Sequence, residues 1–307
     1  MRIAAALLLS LLGPLFGIEA YFRKIEGTGS SMQGIDCIYM INLDERPEKF
    51  ERSAALLVPY GIEPLRVSAV NGWKLPLEAL GDLGVKCQPW MATSRMATCY
   101  LPEEGGRPRH EPMQEVGRTY FCHCMSRGSV GIVLSHLSVL QHAYDKGFET
   151  IWVLEDDIEI LRDPRQLSDL IEELDGLVGE RGWDVLFTDR DTKNSYGQYV
   201  PNTACAWVPN FVPYDPGRFE RRQEVSSTLR RVGARFGAYS MIVRRSGMKK
   251  LLDFIKQHQI FIPYDIGYAL PPQIRLFTVT EDVVSTQPGA PSDNGGPNYE
   301  LEKREGT

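Results

Sequence analysis

Beyond its first eighteen residues this chain has no apolar run approaching the about 20 residues a membrane helix needs, so no internal span is expected. It also lacks a basic excess. With 34 Lys and Arg against 40 Asp and Glu, the net charge is -6, which argues against gripping nucleic acid through overall charge. A local cluster, Arg218, Arg221, Arg222, Arg230 and Arg231, is the one place where a phosphate contact or simply a solvated face is expected. There is no internal repeat and no evident nucleophile motif of a phosphohydrolase. What remains is an ordinary globular composition, 43% hydrophobic and 24% charged, with room for one large core.

The N-terminus is a unit of its own. Arg2, an apolar stretch over 3–18 broken by Gly13 and Pro14, and the small residue Ala20 predict a signal peptide over 1–20, with an uncleaved N-terminal anchor touching a membrane surface as the alternative. Secretory, periplasmic or secreted localisation follows from that reading. Six cysteines suit an oxidising compartment: Cys37, expected as a buried thiol in a core strand, then Cys87, Cys99, Cys122, Cys124 and Cys205. Disulfides are expected among the four between 87 and 124. Zinc is the alternative there, since His110 and His123 lie close, but Cys-x-Cys without a second paired spacing is a weak zinc signal.

A Gly/Ser-rich linker over 21–34 leads into the domain expected over 35–285. The pattern predicts a strand at 35–43, a helix opened by Asp44 and Pro47 with Phe50, Ala54 and Leu57 on its inner face, and a strand at 65–70 closed by Asn71-Gly72. Residues 73–128 have weak periodicity and read as a Cys-containing insertion or elaborate loop held by disulfides. Helical spacing returns from Val130 to Tyr144 and stops at Gly147. A buried strand at 151–154, a helix around 167–174, strands at 183–188, 236–243 and 274–280, and a helix capped by Ser246 follow, before an irregular tail at 286–307. Alternating strands and helices predict an α/β sandwich with a mostly parallel central sheet.

The most informative junction is Ile151-Trp152-Val153-Leu154-Glu155-Asp156-Asp157, an apolar strand ending in three acids. In open α/β sheets ligands sit outside the carboxyl ends of strands. Adjacent carboxylates resist desolvation unless solvated, paired or bound to a hard cation such as Mg²⁺ or Mn²⁺. Glu155 and Asp157 are two apart, so in extended chain they face one side and Asp156 the other. Asp157 is the first choice for direct metal contact, with Glu155 or Asp156 acting through water or a ribose. A rival pair of the same spacing, Asp189 and Asp191, follows the strand at 183–188.

Four ordered segments carry a resemblance: Asn42-Leu43-Asp44-Glu45-Arg46-Pro47, Ala69-Val70-Asn71-Gly72, Gly128-Ser129-Val130-Gly131 with Ser135-His136, and Leu154-Glu155-Asp156-Asp157. Gly237-Ala238-Tyr239, Pro263-Tyr264-Asp265, Gln287 and Ser292-Asp293 extend it. Together they resemble glycosyltransferase family 25, which contains lipooligosaccharide and collagen galactosyltransferases. The resemblance implies a GT-A-like nucleotide-binding α/β/α sandwich, Mn²⁺ or Mg²⁺, a UDP-linked donor, and transfer of a hexose with inversion to a glycan, lipooligosaccharide or protein hydroxyl. It implies Glu155 and Asp157 at the metal, Asp156 and Ser135 at the donor, and His136 at the donor or acceptor, unless His136 is a packing residue. Arg46 would hold a phosphate and Asn42 the base or ribose, or both would serve the strand end alone. Asp265 would be the general base, or plain turn chemistry. The family's glutamate in Gly-Glu-Ile-Gly is Ser129 here, which leaves open a catalytically silent carbohydrate-binding protein.

Overall fold

The computed structural model describes residues 17–192, 196, 198 and 207–300. The first sixteen positions of the expected signal peptide, and Cys205, lie outside the described residues. In chain order the elements are β1 (Cys37–Asn42), α1 (Pro47–Leu57), β2 (Leu65–Ser68), α2 (Leu77–Leu83), β3 (Val85–Lys86), β4 (Met96–Tyr100), β5 (Pro108–Pro112), β6 (Thr119–Cys122), α3 (Arg127–Lys146) and β7 (Thr150–Leu154). Then come β8 (Ile158–Ile160), α4 (Leu167–Val178), β9 (Val185–Phe187), β10 (Arg222–Glu224), β11 (Leu229–Val232), β12 (Ser240–Arg244), α5 (Arg245–His258), α6 (Tyr264–Gly267), β13 (Leu276–Val279) and β14 (Val284–Thr286). Among the described residues no helix is long and apolar enough to cross a membrane.

An eight-stranded sheet in the order β10-β11-β13-β9-β12-β7-β1-β2 forms the centre. Alternation along β1 sends Cys37, Tyr39 and Ile41 into one core and Ile38 and Met40 into the other, which is what a strand buried on both faces requires. α3 and α5 cover the first face through Val133, Leu137, Leu251 and Leu252. α1 and α4 cover the second through Leu57, Ile171 and Leu174. The α/β sandwich is as expected, but the sheet is mixed rather than mostly parallel. β1 pairs parallel with β2 and β7, and β13 with β9, whereas β12 runs antiparallel to both β7 and β9. Strand direction is set by where the connecting chain returns, and β10 and β11 lie between β9 and β12 in the sequence.

The segment expected as a disulfide-held loop is folded differently. β3, β6, β4 and β5 make a second, antiparallel sheet, and no S–S bond joins Cys37, Cys87, Cys99, Cys122 or Cys124. Val85, Cys87, Cys99, Tyr120 and Phe121 instead merge with the first core, so apolar burial does the work assigned to disulfides. The sulfurs of Cys122 and Cys124 lie 2.9 Å apart, at hydrogen-bonding distance. α5 also begins two residues earlier than expected, with Arg244 rather than Ser246 at the cap position. Ser246 sits in its first turn and donates to Asp184 Oδ1 (2.6 Å) instead of capping it.

Two glycines explain how α3 reaches the carboxyl ends of the strands. A Cβ on Gly131 would lie 2.4 Å from Val70 O, and one on Gly72 would lie 1.8 Å from Arg127 O. The start of α3 therefore rests directly on the backbone after β2, an approach only glycine permits.

Candidate active site

β7 releases Glu155, Asp156 and Asp157 at the sheet edge, and each has a different environment. Glu155 N donates to Tyr239 O (2.8 Å), tying the acidic end to the entry of β12, and its Oε1 lies 3.1 Å from His136 Nε2. Asp156 Oδ2 accepts from Asn42 Nδ2 (2.6 Å), and its carbonyl accepts from Ser53 Oγ (2.7 Å). Asp157 is anchored through its carbonyl by Gln287 N (2.7 Å), while its Oδ1 is buried without a hydrogen-bond partner.

Burial raises the affinity of Asp156 and Asp157 for protons. Asp157 is pushed up to about 6, by desolvation first and then by the neighbouring Glu155 and Asp156. Asp156 is also raised by burial, with Asn42 and Lys49 opposing. Asp265, at the start of α6, is raised by burial and by Glu155. A cation would reverse this penalty.

Two adjoining cavities share Ile132, Glu155, Asp157, Ser292 and Asn294 as a common wall. One continues past Asn42, Lys49, Asn71 and Trp73. The other continues past Tyr239, Pro263, Tyr264 and Asp265. Glu155 and Asp157 border both compartments and Asp156 only the first, in keeping with the side-to-side alternation expected of them. Among the described residues no three His, Cys, Asp or Glu side chains converge as a metal cage. The orphaned Asp157 oxygen beside Glu155 fits a hard cation held by one or two carboxylates, with water and phosphate oxygens completing its shell.

The other expected site residues are distributed unevenly. His136 joins the site, 1% exposed and stacked on Tyr264 with ring centroids 4.1 Å apart. Ser135, expected at the donor, is buried on the wall of the first cavity. Its hydroxyl donates to Gly131 O (2.7 Å) and accepts from Val70 N (2.8 Å), so it holds α3 against the turn after β2. Arg46, expected on a phosphate, closes its fork on Asp293, with Nε to Oδ2 at 2.9 Å and Nη2 to Oδ1 at 3.2 Å. Asn42 spends its amide on Asp156 and Arg46 O and accepts from Arg66 Nε (2.9 Å), which makes it an orienting residue for Asp156.

The rival acids serve the fold. Asp189 is paired with the fully buried Arg235 (2.8 Å), and Asp191 with Arg222. Part of the basic cluster also serves the fold, since Arg218 donates to Ala269, Leu270 and Pro271 carbonyls, Arg222 pairs with Asp191 and Arg230 with Glu224.

Several site residues escaped the sequence pattern. α1 turns Lys49 and Ser53 inward with Leu57, with Phe50 packed half-buried on the same core and Ala54 half-buried, because Ser53 holds Asp156 and Lys49 Nζ donates to Pro291 O (2.5 Å). Polar residues spaced four apart in line with Leu57 were the available signal. The tail contributes Asp293, whose carbonyl accepts from Trp73 Nε1 (2.7 Å), and Asn294, which accepts from Ser129 Oγ (2.7 Å).

Comparison with known proteins agrees with the ordered segments. The profile of the family described as Glycosyltransferase family 25 (LPS biosynthesis protein) matches residues 36–267. The chain is 28% identical over 201 residues to the human protein named Inactive glycosyltransferase 25 family member 3, covering 65% of this chain and 28% of the relative. It is 27% identical over 158 residues to mouse Procollagen galactosyltransferase 2 (51% and 21%) and 28% over 154 residues to a Drosophila melanogaster Glycosyltransferase 25 family member (50% and 21%). The chain thus spans at most 28% of the length of these relatives. With the acidic strand end, the glycine-lined start of α3 and the Pro-Tyr-Asp turn gathered on one groove inside the matched region, this chain belongs to glycosyltransferase family 25.

Proposed function

We propose that the chain transfers a hexose, galactose or glucose, from a UDP-linked donor to a glycan or protein hydroxyl, in a GT-A-like arrangement and a secretory or periplasmic setting. The observation that carries the reading is the single groove in which Asp157, with its unpartnered buried oxygen, shares a wall with the compartment of Asp265. Glu155 and Asp157 would hold Mn²⁺ or Mg²⁺. Bound there, the ion would supply positive charge against the charge developing on the leaving diphosphate.

The chain's own residues account for the rest. Asn42 and Ser53 fix Asp156, and Lys49 brings a cationic head to the donor compartment. His136, stacked on Tyr264, orients Glu155. Asp265 faces the second compartment, where its carboxylate takes the proton of the acceptor hydroxyl. That oxygen bonds the sugar's anomeric carbon as the bond to diphosphate breaks and the nucleoside diphosphate leaves with the electron pair, so the configuration inverts. Its raised proton affinity suits a base better than a solvated aspartate would.

A second reading, a silent carbohydrate-binding protein, is favoured by one feature. Ser129, where the family's glutamate stands, is 3% exposed and tied to Ser126 and Asn294, so no carboxylate is offered there. The human relative named inactive points the same way. Hydrolysis of UDP-galactose and UDP-glucose in Mn²⁺ and in EDTA decides between them. Metal-dependent release of UDP supports the transferase, whereas binding without turnover supports the silent protein.

A further inference from the structure

A third cavity, of about 470 Å³, opens on the other side of Tyr239, where β9 ends and the chain turns from β13 to β14. We propose that it binds an uncharged saccharide unit of the acceptor, which then runs past Tyr239 to Asp265; this rests on the glycosyl-transfer reading above.

The volume is in the range of small-molecule sites, roughly 300–1,000 Å³. Its lining includes Asp189, Asp191, Arg230, Tyr239, Asp282 and Ser285. Every charge there is already matched: Asp189 by Arg235, Asp191 by Arg222, Asp282 by Arg190 (3.1 Å) and Arg230 by Glu224 (3.0 Å). An anionic ligand would have to break one of these pairs and strand its partner, which is costly where the groups are buried. A neutral polyol would not.

What the cavity still offers is hydrogen bonding. Asp189 is 5% exposed, and its Oδ2 accepts from Arg235 Nη2 (2.8 Å) and from Ser285 Oγ (3.4 Å), yet its Oδ1 is buried with no partner. A buried carboxylate oxygen left unmatched is expensive, and a sugar hydroxyl donating to it removes that cost. Tyr239 borders both this cavity and the Asp265 compartment, and its carbonyl receives Glu155 N, so the two spaces are held in fixed relation to the acidic strand end.

The test uses the whole chain and three neutral disaccharides, lactose, maltose and cellobiose, with a sulfated disaccharide and MnCl₂ as the charged alternatives, followed by calorimetry and saturation-transfer NMR. Ser285→Phe fills the cavity from β14, and Thr192→Trp blocks it from its exposed rim without touching the core. At least one neutral disaccharide should bind, and both variants should weaken its Kd at least about tenfold, a loss of roughly 1.4 kcal/mol. Absence of neutral disaccharide binding, binding that both variants leave unchanged, or preference for the sulfated sugar or Mn²⁺ at this cavity would overturn the inference. UDP-sugar hydrolysis measured in parallel separates the two claims. Disaccharide binding without hydrolysis would remove the transferase reading and with it the acceptor role, leaving a saccharide-binding cavity alone.

Discussion

The carboxyl of Asp157 makes an unusual demand on the fold, and removing it should stabilise the metal-free protein. Burial with two acids alongside pushes it from 3.8 to about 6. A carboxyl raised in the folded state contributes its full stability below the unfolded value and loses it as pH rises through the folded one. At pH 7 to 8 the fold therefore carries a penalty of about 3 kcal/mol from this residue, absent near pH 3. Asp157→Asn removes the charge at nearly constant volume. The metal-free variant should melt roughly 3–6 °C higher than wild type at pH 7.5, with the gain shrinking as pH falls through about 6. Mn²⁺ should reverse the order, raising the wild-type melting temperature by mass action and leaving the variant unmoved, with transfer abolished. Calorimetry across pH 4 to 8, with and without Mn²⁺, reads both halves. A variant that is less stable than wild type at pH 7.5 without metal, or equally stabilised by Mn²⁺, would refute the assignment of Asp157 as a strained metal ligand.

Asp265→Asn should lower transfer by roughly 10²- to 10⁴-fold with donor affinity kept; because burial and Glu155 raise the Asp265 carboxyl, wild-type transfer should climb with pH along its acid limb, and the variant should lose that limb. Rate profiles with pH check this, and weakened donor binding in the variant would contradict it. Gly237→Ala should cost about 1–3 kcal/mol, since Gly237 has φ +88 and a Cβ there would sit 2.1 Å from Tyr239 Cζ. Denaturant melts measure the cost, and a shift in Tyr239 fluorescence or ring resonances should accompany it. Asp191→Asn should leave Mn²⁺ binding intact and lower stability by less than about 3 kcal/mol, because Arg222 loses this carboxylate but keeps the Phe219, Arg221 and Ala234 carbonyls. Lost Mn²⁺ binding in a folded Asp191→Asn protein would move the metal site to the second acidic pair.

The local and periodic features of this chain were legible in its sequence. The buried strand at 151–154, the twenty-residue α3 with its stop at Gly147, and the position of Glu155 to Asp157 at a strand end all follow from hydrophobic period and chain punctuation, which act over a few residues. The ordered motifs added Asp265 and His136, and both border the same groove. Strand direction was not legible, because β12 is antiparallel to β7 through a long connection whose return path leaves no periodic mark. Nor was partner choice among polar groups. Asp189 and Asp191 look like Glu155 and Asp157 in the chain, yet the fold delivers the guanidinium groups of Arg235 and Arg222 to the first pair, whereas among the described residues Asp157 forms no ion pair and keeps a buried oxygen without a hydrogen-bond partner. Arg46 meets Asp293 across 247 positions, and Ser135 is spent on backbone that only the glycine-to-glycine contact brings near. Sequence determined which segments bury and where the acids emerge, since those depend on neighbours along the chain; tertiary structure decided which acids stay unpaired, since a charge is neutralised by whatever the folded chain places beside it.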